Sequence, residues 1–173
     1  MNLSKNWYFE VNMYCRILAE GYNIPLIKVA GMLSALSPNN KFDQNIKSLE
    51  NFIIHKGECK VTTFNGQKEK ARIILFADDD VNEDTVKLIL GGLKTKSFFE
   101  NIYRPHTSNA VTIDLWQIRW AKKYNVWKAD WGSLTPKRYG IISDFIRDKA
   151  AARNLLPHQL QALTWTELRG KQY

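Results

Sequence analysis

Lys94, Lys96 and Asp114 are the residues whose types and spacing best suit chemistry in this chain. The lysines stand in "GGLKTKSFFEN", directly after Gly91 and Gly92, and Asp114 follows Lys96 by eighteen residues in "VTIDLWQIRW". A glycine pair between two helical stretches allows the positive backbone angles and close approach of a tight helix-to-helix turn. The helix that starts after such a turn presents unpaired N–H groups and its positive dipole end, which together hold a phosphate without touching any base. Two residues apart on a helical turn, Lys94 and Lys96 cannot point the same way. One is expected to strengthen the phosphate site while the other faces inward. A lysine amine becomes a nucleophile only when burial, a neighbouring cation or a helix N-terminus lowers its pKa. Asp114 has two compatible roles: helix N-cap, with Gln117 at the capping-box position, and a carboxylate held at a defined position, as a catalytic one must be.

The elements that must carry these residues read as helices almost throughout. Ser4 is expected to cap a helix that stops near Gly21, with Trp7, Val11, Tyr14 and Leu18 on one face. Pro25 opens a second helix, "PLIKVAGMLSAL", which ends before Pro38; "SPNN" is a turn. "KFDQNIKSLENFIIHK" repeats Phe42, Ile46, Leu49, Phe52 and Ile53 at helical spacing, and "VTTFNG" is a short extended piece. "QKEKARIILFA", "NEDTVKLIL" capped by Asn82, and "TKSFFENIY" are the next three helices, so the glycine pair joins the last two. The acidic run "FADDDVNED" is expected to be a solvated loop facing away from any nucleic acid; a metal site there would need partners that the sequence does not show. Trp116 and Trp120, four apart, are expected in the core, and His158, after Pro157 at a helix start, is expected to be a surface or capping histidine and not a base.

Composition limits the partners. A chain of 173 residues that is 45% hydrophobic and 12% aromatic buries a sizeable core, which excludes disorder. A formal net charge of +8 gives the surface a positive potential, which nucleic acid most commonly uses. Cys15 and Cys59 form neither a C-x-x-C site nor a disulfide framework, as in a reducing compartment. No signal-peptide core and no apolar run of membrane-spanning length is visible, so the protein is expected to be cytoplasmic, monomeric and free of membrane.

"LGGLKTKSF" followed by "VTIDLWQIR" resembles the helix-hairpin-helix DNA glycosylase superfamily, typified by endonuclease III. There the hairpin reads leucine-proline-glycine-valine-glycine, with a lysine two residues beyond and a valine-aspartate opening the next helix at similar spacing. "VAGMLSALSPNNKFDQNIKSL" is similar to the family's second helix and following loop, "KEKARIIL" to its lysine-alanine helix, and "PHQLQALTWTELRG" stands where its last helix would. The likeness spans most of residues 23 to 170. It extends to small phage-encoded members whose hairpins run glycine-x-lysine and whose aspartate is followed by a tryptophan.

The resemblance implies an all-α protein with two lobes, residues 23–113 forming a helical bundle that ends in the hairpin and residues 1–22 with 114–173 forming the other. It implies double-stranded DNA as partner, a flipped base in the cleft, and Asp114 as the catalytic carboxylate. Lys96 in the endonuclease III register, or Lys94 in the phage-like pattern, would be a Schiff-base lysine; if neither points inward, Asp114 directs water alone. Gly91 and Gly92 would contact the DNA backbone. Leu36, Ser37, Asn39 and Asn40 would fill the place of the extruded base, with Lys41 near a phosphate and Arg119 lining the pocket or touching the strand. Leu36 is equally readable as the last core residue of its helix. Nothing resembling the four-cysteine segment follows the last helix, so no iron–sulfur cluster, metal or other cofactor is expected. The leading expectation is a DNA glycosylase, with or without AP-lyase activity. The alternatives are a non-catalytic DNA-binding module and a glycosylase-fold enzyme of phage thymine hypermodification.

Overall fold

Helices are the only regular elements among residues 5–169, which the computed structural model describes. In chain order they are α1 (Trp7–Tyr22), α2 (Leu26–Leu36), α3 (Phe42–Ile54), α4 (Asn65–Phe76), α5 (Glu83–Leu90), α6 (Leu93–Tyr103), α7 (Leu115–Lys123), α8 (Pro136–Ala151) and α9 (Pro157–Arg169). The protein is all-α, as its hydrophobic periodicity requires.

Helix α2 is the hub. Every residue from Ile27 to Leu36 is buried, and the helix packs against α1, α3, α4, α5 and α6. A helix apolar on all sides can only sit in an interior. Gly31 lets α4 and α5 approach it, since a Cβ there would lie 2.9 Å from Val86 Cγ1 and 3.2 Å from Ile74 Cγ2. Lys28 of this helix is buried too, and its ammonium meets Asp79 at 2.6 Å. Asp79 itself stays exposed, as do Asp78 and Asp80, so the acidic loop is a solvated one that is tied to α2 at a single point.

Two apolar clusters result. The first gathers buried residues of α1 to α6 together with Ala162 and Trp165 of α9. The second joins Val111 and Ile113 to Trp120, Ala121, Tyr139, Ile142, Ile146, Ala150 and Leu160. Trp7, Tyr8, Val11, Cys15, Leu18 and Ala19 all belong to the first cluster, so α1 packs with the bundle, and it also meets α9, where Trp7 contacts Trp165 and Tyr8 and Phe9 contact His158.

Local expectations meet the structure unevenly. Ser4 lies outside the described residues; Asn6 occupies the N-cap of α1, with no side-chain capping bond. That helix runs past Gly21 to Tyr22 and ends on Asn23, whose φ of 52° is left-handed. Asparagine tolerates this stop because its short polar side chain adds little strain there. "VTTFNG" forms no strand: with no neighbouring strand, Thr63 Oγ1 instead donates to Pro38 O at 2.8 Å, and Asn65 already begins α4. Asn82 caps α5 as expected, accepting from Thr85 N at 2.9 Å.

Candidate functional site

Helix α5 ends at Leu90 and α6 begins at Leu93, with only Gly91 and Gly92 between them. Gly91 adopts φ 79° and ψ −71°, a tight γ-turn closed by its neighbour Gly92 N–H on Leu90 O at 3.1 Å, which glycine enters far more readily than a residue with a Cβ. Gly92 is the N-cap of α6 and, having no side chain, leaves the helix start without a side-chain cap. The N–H groups of that first turn and the positive dipole end face an exposed surface, an arrangement that binds oxyanions.

Thr95 is the inward residue of this turn: it is buried, and its hydroxyl donates to Gly92 O at 2.9 Å. Lys94 is exposed and Lys96 half-buried, and neither side chain makes a hydrogen bond or ion pair among the described residues. Thr95 takes the core-facing side of α6, with the two lysines on its flanks and Lys96 the more buried of the pair. A third cation stands at the turn. Lys70 of α4 donates to Leu90 O at 2.7 Å, and its Nζ lies 3.4 Å from where a Gly91 Cβ would be.

Asp114 caps α7. Its Oδ1 accepts from Trp116 N at 2.9 Å and Gln117 N at 3.0 Å, while Oδ2 accepts from Trp165 Nε1 of α9 at 2.9 Å. Both carboxylate oxygens are thus fixed, with lone-pair capacity remaining on Oδ2, and the residue is half-buried. Gln117 does not close the expected capping box. It is fully buried and donates to Thr164 Oγ1 at 2.9 Å, joining α7 to α9.

The extended segment before Asp114 is anchored on both sides. Tyr139 of α8 donates to Val111 O at 2.6 Å and accepts from Ile113 N at 3.1 Å, and its hydroxyl is 3.3 Å from Ser97 Oγ on α6. Gln161 of α9 brackets Thr112, accepting from its N–H at 3.1 Å and donating to its carbonyl. The Thr112 hydroxyl accepts from Asn101 Nδ2 at 3.2 Å and Tyr8 OH at 3.3 Å. Burial pushes the phenols of Tyr8 and Tyr139 above their ordinary range, so both remain neutral donors. This network couples the position of Asp114 to α1, α6, α8 and α9.

The remaining candidates are scattered. Leu36 is fully buried in the first cluster, so it is a core residue and does not stand free to enter a stack. Next to it, Ser37 Oγ donates to Ser34 O at 2.9 Å and Asn40 Nδ2 to Leu36 O at 3.4 Å, while exposed Asn39 holds φ 57°. Lys41, exposed, precedes α3. Arg119 is exposed and lays its guanidinium over the Trp116 ring, 4.5 Å from its centroid. Trp120 is core, as expected, and Trp116 is half-buried against the first cluster. His158 is neither superficial nor a cap: it is fully buried, its Nε2 lies 2.7 Å from Pro105 O, to which it donates, and it packs on Tyr8 and Phe9.

Lys70, Tyr139, Gln161 and Trp165 escape a reading of the chain alone. Each acts on a partner twenty or more residues away, and no local pattern encodes that pairing. Among the described residues no group of three or more His, Cys, Asp or Glu could hold a metal ion, and no helix is long and apolar enough to cross a membrane.

Neither the curated proteins nor the solved structures yield a match to this sequence. A family model does, over residues 2–172, and the chain belongs to that family of unknown function, DUF7178.

Proposed function

We propose that the protein is a DNA glycosylase that holds the phosphate backbone at the Gly91–Gly92 turn, in a helix-hairpin-helix manner, and uses Asp114 to cleave the bond between base and sugar. The observation that carries this reading is the carboxylate fixed by three N–H donors, on a segment braced against the same helix that starts at the glycine turn. Breaking the glycosidic bond develops positive charge on the deoxyribose, and a carboxylate that needs no reorganisation stabilises it best. The remaining lone-pair capacity of Asp114 is available to orient an attacking water. The base must be drawn out of the stack, at a cost of a few kcal/mol, and would enter between the bundle and the C-terminal helices, the two lobes of the glycosylase arrangement.

A Schiff-base lysine is made nucleophilic chiefly by burial. With Lys94 exposed and Lys96 half-buried, the reading favours a monofunctional enzyme in which both lysines hold phosphates. Borohydride trapping on a duplex containing an abasic site tests this choice. No covalent adduct is expected; an adduct lost in Lys96→Ala or Lys94→Ala would assign lyase chemistry to that lysine.

One observation favours a binding module without catalysis: both oxygens of Asp114 already serve the fold, one as a cap and the other as an indole acceptor. Salt-dependent duplex binding by a protein that releases no base from any duplex would select that alternative, or the hypermodification enzyme if the protein alters thymine without excising it.

A further inference from the structure

Between α7 and α8 lies an aromatic pair that the glycosylase reading does not use. Trp127 and Trp131 meet edge to face with ring centroids 5.5 Å apart. Lys122 stands over Trp127 at 5.7 Å and Arg138 over Trp131 at 5.2 Å. Trp127 packs on the second apolar cluster, but Trp131 belongs to neither cluster and is only half-buried. Half-buried outside either core, Trp131 keeps part of its indole at the surface, and the cation held against it adds charge there.

The surroundings select one kind of partner. From residue 122 to 138 the chain carries Lys122, Lys123, Lys128, Lys137 and Arg138 against the single carboxylate of Asp130. Lys123 is engaged with Glu167 at 3.2 Å, whereas Lys122, Lys128 and Lys137 are exposed with no ion pair among the described residues. Arg138 is set in place by its own donation to Ser133 O at 2.6 Å. Indole faces interleaved with cations are the surface that takes unpaired nucleotides, the base stacking on the ring and its phosphate meeting the cations. The location fits as well. Arg138 precedes Tyr139, whose hydroxyl touches Ser97 one residue after Lys96, so the start of α8 is pinned beside the lysine-bearing turns of α6.

We propose that Trp131, held by Arg138 and joined through Trp127 to Lys122, binds an unpaired nucleotide of a DNA strand whose duplex part lies on the Gly91–Gly92 turn. The proposal rests on the DNA-binding reading above and deepens it: the preferred ligand is a duplex adjoining a single-stranded stretch.

The test is an anisotropy titration of the full chain with a labelled blunt duplex and with the same duplex carrying an unpaired thymidine overhang. The parent is expected to bind the overhang form about tenfold more tightly, and the Trp131→Leu and Arg138→Gln proteins to lose that preference while keeping blunt-duplex affinity. Arg138→Gln leaves the indole in place, so the outcome does not depend on how well the tryptophan variant folds. Lys94→Ala with Lys96→Ala is expected to weaken both forms equally. Retention of the full overhang preference by both Trp131→Leu and Arg138→Gln would overturn the proposal and leave the hairpin reading standing. No binding of either DNA by the parent would overturn both.

Discussion

At the residue scale, Asp114 does two jobs at once. Replacing it with alanine removes the cap of α7 and leaves Trp165 Nε1 without its acceptor, so a loss of about 1–2 kcal/mol is expected in chemical denaturation. Asp114→Asn keeps one acceptor for the α7 amides but turns its NH2 group toward the indole N–H, and it removes the charge that the chemistry needs. Its stability loss is expected to be smaller and its activity loss larger. His158 supplies a pH signature. Burial lowers its pKa below the ordinary 6.5, so folded protein resists protonation that the unfolded chain accepts. Stability is fully present above about pH 6.5 and is lost as pH falls from there toward the lowered folded value. Denaturation midpoints measured between neutral and mildly acidic pH are expected to fall with pH, and His158→Gln is expected to flatten that slope in this range.

At the scale of elements, the turn between α5 and α6 and the hub α2 depend on single glycines for different reasons. Gly91→Ala meets only the flexible end of Lys70, so its cost comes from the backbone, φ 79° with ψ −71°, and is expected to be about 1–3 kcal/mol. Gly31→Val drives branched atoms into Val86 and Ile74, and a loss of about 1–3 kcal/mol or more is expected from thermal melts. The elements themselves are legible in the chain. Apolar residues three and four apart mark the helices, and Asn82, Asp114 and the glycine pair mark their ends. The stop of the first helix is not legible at Gly21, because Asn23 takes the left-handed conformation instead. "VTTFNG" reads as extended because its residue types favour strands, yet a strand exists only with a partner, and none is present among the described residues.

At the scale of the whole molecule, what the chain does not disclose is what long-range packing decides. Asp114 is visible as a cap, but the Trp165 indole that fixes its second oxygen comes from fifty-one residues away. Leu36 is visible as apolar at a helix end, and only the packing of α2 shows that it is core. Of the lysine pair, spacing shows that the two diverge, whereas the burial of Thr95 between them shows that neither owns the inward face. The net charge of +8 carries its own prediction. Duplex affinity is expected to fall linearly on a log–log salt plot, and removing Lys94 and Lys96 together should reduce the slope by about one unit for each phosphate that is no longer neutralised. A slope unchanged in the double variant would place the phosphates elsewhere on the surface.

The most direct measurement is base release. Parent and Asp114→Asn proteins would be incubated with duplexes containing uracil, oxidised bases and hydroxymethylated pyrimidines, and abasic sites counted in the DNA. The expected result is abasic product from at least one duplex with the parent and a loss of about a hundredfold or more in Asp114→Asn. No abasic site from any duplex, or equal release by the two proteins, would contradict the assignment of Asp114 to glycosidic cleavage.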